Sequence, residues 1–160
     1  MTDTRTELVR AEEERFAQIH GLLEHLTPEQ MREPGYTEDW SVRDVVAHLA
    51  CWCAEAARHL EQLRLGTYDL TREDEKAISR DVDAINQRFH DACRDLSLDD
   101  VKVEWASSRF RMLQEWDDLP EVSGRAAGWF RSSGPEHYDE HLPRLREWVA
   151  ELTGARTGGS

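Results

Sequence analysis

Residues 40–60 read WSVRDVVAHLACWCAEAARHL, and this stretch decides the fold class. Ser41 followed three residues later by Asp44 is a capping box: the serine takes a free backbone N–H of the first turn, and the aspartate reaches back to the N-cap. Val45, Leu49, Trp52 and Ala56 then recur at the spacing of one helical face, which predicts a helix with one buried side. It runs from Val42 to about Leu65 and is ended by Gly66. His48 stands one position off the stripe and one turn before Trp52, so it borders the core rather than free water.

Outward from this helix the same signals recur. Residues 3–26 carry Leu8, Ala11, Phe16, Leu22 and Leu23 on an imperfect apolar face, with Gly21 costing about 1 kcal/mol of helix stability against alanine. Thr27, Pro28 and Gln30 spell a second start, cut short by Pro34 and Gly35. Thr71 with Asp74 opens a helix continued by Ile78, Val82, Ile85 and Phe89, with Asn86 beside Ile85. Ser97 with Asp100 opens another, whose inner side is expected to carry Val103, Ala106, Phe110 and Leu113 before Leu119-Pro120 stops it. GRAAGWFRSSGP reads as a loop or broken turn, with Trp129 and Phe130 as lids or plugs. The last helix is expected to open near Ser133, with Pro135 in its first turn and Glu136 at N3. Tyr138, His141 or Leu142, Leu145, Trp148, Val149 and Leu152 form its expected inner face. No strand of convincing alternation intervenes, so the expected fold is all-α. It is a bundle of four principal helices with an additional helical segment and short connecting helices, one domain over 1–153 with a frayed tail at 154–160.

The bulk composition bounds the function. A chain of 160 residues with six tryptophans and 39% hydrophobic residues is sized for one core. The formal net charge of −13 repels phosphate backbones, so no direct nucleic-acid partner is expected. No run approaches a membrane span, and the first thirty residues lack a signal-type apolar core, which points to a soluble cytoplasmic protein. The three cysteines, Cys51, Cys53 and Cys93, are odd in number, as in a reducing compartment, and form no expected pair. Cys51 and Cys53, two apart on a helix, face different directions.

Of the seven histidines, His137 and His141 lie four apart in PEHYDEHL and stack on one side of the last helix. Two imidazoles at that spacing can hold one divalent metal, and His48 is the best third ligand. Glu55, seven residues after His48, returns to nearly the same helical face.

The segments WSVRDVVAHLACW and HYDEHLPRLREW, with an Asn86-containing helix between them, resemble the DinB-like superfamily, and within it the ClbS/DfsB-like four-helix-bundle proteins. The resemblance covers nearly the whole chain. It implies a bundle of unusual connection order that holds nickel or zinc between one histidine of the second long helix and two of the last. By position these are His48, His137 and His141. Some branch members lack the full set, so a metal-free site stays open. The sequence departs from the pattern at Cys53, where members commonly carry an acidic residue; Glu55 could replace it in part.

Two chemistries follow from the resemblance. The leading expectation is a hydrolase that detoxifies a reactive metabolite, such as a DNA-alkylating one, by opening its strained electrophilic ring. His48 would be its centre, with Glu55 or Tyr138 assisting proton transfer. The alternative is a metal-dependent low-molecular-weight-thiol transferase or isomerase; a third reading is non-catalytic sequestration. Trp52, Asn86, Trp105 and Trp129 are the expected pocket residues. The partner is a reactive small molecule, and large aromatic faces would permit a homodimer.

Overall fold

A computed structural model describes residues 3–69 and 82–154. Its helices are α1 (Thr4–Leu23), α2 (Pro28–Arg32), α3 (Val42–Leu65), α4 (Val82–Cys93), α5 (Leu98–Asp118), α6 (Gly124–Ser133) and α7 (Pro135–Thr153). The fold is all-α: among the described residues the one β-type pairing is an isolated bridge between Thr37 and Trp40. The four long helices form the bundle, with α3 packed along α5 and α1 along α7, while α4 and α6 lie against α3. Thr71, Asp74 and Ile78, read as the opening of the fourth helix, lie outside the described residues, as does the tail beyond Gly154.

The central helix forms as its sequence dictates. Ser41 Oγ accepts from the Asp44 amide, Asp44 Oδ2 accepts from the Ser41 amide at 2.8 Å, and Gly66 ends α3 in the left-handed conformation. Val45, Leu49 and Ala56 are wholly buried. Next to the cap, Arg43 crosses to α4 and donates to the carbonyl oxygens of Cys93, Arg94 and Leu96. They lie at and just beyond the C-terminal end of α4, where the Cys93 carbonyl also accepts from the Leu96 amide at 3.1 Å, and a guanidinium there offsets the negative end of the helix dipole. The clamp matters because α4 buries no residue of its own.

Three expectations are corrected. The stripe Val103, Ala106, Phe110 and Leu113 is not the inner face: Val103 and Phe110 are 64% and 67% exposed, Ala106 is exposed, Leu113 packs on the core only in part, and Leu98, Val101, Trp105, Met112 and Trp116 line the core instead. Both sets have helical spacing, and the one with two tryptophans and a methionine buries more apolar surface. GRAAGWFRSS is not a loop but α6, capped by Ser123. Its Phe130 is wholly buried and stacks on Trp116 with centroids 4.5 Å apart. The last helix has no serine cap; Gly134 is its N-cap. A Cβ at Gly134 would lie 2.9 Å from the Phe130 carbonyl oxygen, so only glycine lets α6 turn this tightly into α7.

One buried polar network ties α1, α5 and α7 together. Glu12 is wholly buried and receives both arms of the Arg109 guanidinium, at 2.5 and 2.8 Å, and the Tyr138 hydroxyl at 3.1 Å. Arg109 also lies 3.7 Å over the Phe16 ring.

The turn between α2 and α3 is held as firmly. The amides of Gly35 and Tyr36 donate to the Trp40 carbonyl oxygen at 3.0 and 2.8 Å, and Arg144 of α7 donates to the carbonyl oxygens of Gly35 and Tyr36. Gly35 has φ +119°, and a Cβ there would meet Trp148 Cη2 at 2.9 Å. Gly35→Ala is therefore expected to lower stability by about 1–3 kcal/mol, seen as a lower urea midpoint at unchanged m.

Candidate metal centre

His48 enters the site from the second turn of α3, and His137 and His141 enter from one face of α7. The geometry brings all three rings to one point. His48 Nε2 lies 2.8 Å from His137 Nε2, His141 Nε2 lies 3.2 Å from His137 Nε2, and one ligand atom from each residue falls within 4.8 Å of the others. His48 and His137 are buried, and His141 is half-buried.

Burial sets the protonation state. Desolvation pushes the imidazoles down from their ordinary value, His48 to about 3, His137 to about 2 and His141 to about 4. The neighbouring imidazoles add repulsion at His48 and His137. All three are neutral at pH 7, which is the ligand form. Protons alone cannot satisfy the cluster. Each ring nitrogen carries either one lone pair or one proton, so His137 Nε2 cannot bond well to both neighbours at once. A cation between the three lone pairs resolves the conflict, and an all-imidazole donor set suits zinc or nickel.

The residues around the cluster orient it. The Tyr36 hydroxyl lies 3.0 Å from His141 Nδ1 and donates to the His141 carbonyl oxygen at 3.5 Å, so the phenol oxygen is placed to accept from Nδ1–H. That assignment leaves the Nε2 lone pair of His141 facing the cluster. Burial pushes the Tyr36 hydroxyl up to about 12, partly offset by Arg144, so it keeps its proton. Trp40 sits edge-on to His48 at 5.5 Å and is itself stacked on His90 at 5.0 Å. Nδ1 of His48 and of His137 is buried without a hydrogen-bond partner among the described residues.

Residues 10–153 match the family described as the mycothiol maleylpyruvate isomerase N-terminal domain. The chain belongs to that family. A crystal structure of an uncharacterised protein from Escherichia coli UTI89 shares the fold, with a TM-score of 0.77 over 96% of each chain at 19% identity. The fold is thus of the DinB-like superfamily. No curated protein matches the chain significantly.

In this family member the three histidines stand at the wall of a cavity of about 1120 Å³. Its lining includes Trp40, Trp52, Asn86, Trp129, Ser133 and Glu140. Trp52 Nε1 donates to Asn86 Oδ1 at 2.9 Å, which fixes both walls and leaves the amide NH2 unclaimed by that bond. Trp129 is stacked on His59 at 3.9 Å and donates to the Tyr68 hydroxyl.

Of the residues expected at the site, the structure brings His48, His137, His141, Trp52, Asn86 and Trp129 together. Glu55, Tyr138 and Trp105 do not line the cavity. Glu55 accepts from Arg58 at 2.8 Å and lies 3.2 Å from His59 Nε2. The His59 hydrogen bond, with help from Arg58, pulls its carboxyl down to about 2. Tyr138 is wholly buried, donates to Glu12 and touches Cys53, and burial holds its hydroxyl well above the ordinary value. Trp105 packs on Phe16 at 5.0 Å and edge-on to Tyr138. Glu140, Tyr36 and Trp40 were missed. Glu140, three residues after His137 and beside His141, could have been found from helical spacing; Tyr36 and Trp40 come from a turn that carries no such signal.

Proposed function

We propose that this protein is a metal-dependent transferase or isomerase that uses a low-molecular-weight thiol against a small electrophile. The observation that carries this reading is the convergence of three buried, neutral imidazoles on the wall of a tryptophan-lined cavity. The family's name supports it, since that name joins a thiol, mycothiol, to an isomerase. When bound, a divalent ion supplies Lewis-acid chemistry, lowering the pKa of a thiol brought to it so that the thiolate forms at neutral pH.

The chain's own residues do the rest. His48, His137 and His141 would hold the ion, and Tyr36 fixes the ring of His141. Trp40, Trp52 and Trp129 exclude water and pack the apolar part of the thiol or electrophile, while Asn86 and Ser133 offer hydrogen bonds that set its orientation. Glu140 is the carboxylate among the described lining residues, and the uptake of the thiol proton is assigned to it. It assumes the proton-transfer role first expected of Glu55 or Tyr138.

Tyr36→Phe removes the oxygen facing His141 Nδ1, and metal affinity is expected to fall by roughly 10–100-fold at unchanged stoichiometry, measured by chelator competition. The function is tested by incubating metal-loaded protein with mycothiol and maleylpyruvate and analysing products by mass spectrometry and NMR. A gain of the thiol, or a cis-to-trans change without a gain of mass, supports the proposal. Offered a cyclopropane-type electrophile in parallel, the protein would support the ring-opening hydrolase that a ClbS/DfsB-like placement implies if the product gained water and no thiol, and unchanged, retained substrate would support sequestration; either result overturns the thiol reading.

A further inference from the structure

The cysteines, expected to be unpaired, include two that the fold brings together. Cys51 on α3 and Cys93 at the end of α4 are both half-buried free thiols, and their sulfur atoms are 3.6 Å apart. From this juxtaposition we infer that Cys51 and Cys93 are a dithiol that closes to an intramolecular disulfide when low-molecular-weight disulfides accumulate, stapling α4 to α3 beside the cavity.

Bond formation needs the sulfur atoms to approach by about 1.5 Å, a movement two side chains and one lightly held helix can share. Helix α4 is suited to it because it buries no residue and is held through a few side chains: the Arg43 clamp, the Trp52–Asn86 bond, Phe89 edge-on to Trp52 at 5.3 Å and His90 stacked on Trp40 at 5.0 Å. The third thiol is out of reach, since Cys53 is wholly buried against Tyr138. Val82 and Asn86 of α4 line the same cavity as the three histidines, so a staple at Cys93 ties down the helix that supplies part of its wall.

The exchange balances without any other reactant. Either thiol of the pair can open the exchange, and the chemistry is the same from Cys93, at the last residue of α4. Its thiolate attacks one sulfur of the small disulfide, breaking that S–S bond and expelling one thiolate, which takes up the proton Cys93 released. Cys51, giving its proton to solvent, then attacks the mixed disulfide at the Cys93 sulfur, breaking that S–S bond and expelling the second small thiolate, which takes up a proton from solvent. The protein loses two hydrogens, and the small disulfide gains them as two thiols.

The test uses the full chain, reduced and then treated with hydroxyethyl disulfide. Intact mass is expected to fall by two hydrogens, with a peptide cross-linked through Cys51 and Cys93 and Cys53 still a free thiol. In Cys51→Ser the reaction should stop at one mercaptoethyl adduct on Cys93. Amide exchange across residues 82–93 should slow in the oxidised wild type. Stable adducts without a cross-link, a linkage through Cys53, unreacted thiols, or unchanged exchange after cross-linking would each overturn the inference. Metal content of the same samples is read separately, so failure here leaves the histidine centre standing.

Discussion

His137→Ala is expected to abolish stoichiometric binding of a divalent metal, and turnover with it, while the helical content of the protein stays unchanged. His137 is the middle of the cluster: its Nε2 is the atom that both His48 and His141 approach, at 2.8 and 3.2 Å. Removing it leaves two imidazoles on different helices with no shared neighbour. Losing an outer partner of a metal ligand typically costs about 10–100-fold in affinity, and losing a ligand outright costs more. The fold has little to lose, because a neutral imidazole with an unpartnered Nδ1 contributes little to a bundle held by apolar packing. Titration of metal into the stripped variant checks this, beside a far-ultraviolet circular dichroism spectrum. Wild-type affinity in the variant would reject the assigned centre.

Glu12→Ala is expected to be the most destabilising single change away from the site. Glu12 is wholly buried, and its removal leaves the Arg109 guanidinium with no counter-charge among the described residues and the Tyr138 hydroxyl with only the weak acceptor Cys53 Sγ. Breaking one side of a buried ion pair costs about 3–5 kcal/mol; the partial exposure of Arg109 places this case near 3 kcal/mol. For a chain of this size that lowers Tm by roughly 6–12 °C. Replacing the pair by Glu12→Leu with Arg109→Met should recover much of the loss, because the cost lies in the stranded charge rather than in the missing attraction. Equal Tm for Glu12→Ala and wild type would show that the network carries no stability.

The parts of this molecule that were legible in its sequence are those whose signals are local. Helix α3 carries its cap, its stripe and its stop within one stretch, so its bounds were read correctly from Ser41 to Gly66. The histidine cluster was legible because an i,i+4 pair must share a face, and His48 bordered the one buried stripe that could meet it. Helix α6 was not legible. Its glycines and serines give little intrinsic helical preference, and it forms because Phe130 stacks on Trp116 and Ala126 and Ala127 are buried. The inner face of α5 was misjudged because two apolar stripes share the helix, and only the neighbouring helices select between them. Tyr138 was assigned to proton transfer and Trp105 to the pocket on chemistry alone. The helix carries Tyr138 to Glu12 instead, and that carboxylate lies 126 residues earlier in the chain. Glu55 had the right spacing from His48, but Arg58 and His59 claim it first.

The central claim is that His48, His137 and His141 hold one divalent ion, and anomalous X-ray diffraction at the metal absorption edge tests it most directly. Crystals of tag-free protein grown with zinc or nickel should show one strong anomalous peak per chain, about 2.0–2.1 Å from the Nε2 atoms of all three residues. A peak bound elsewhere, or none at the three imidazoles at saturating metal, would contradict the account.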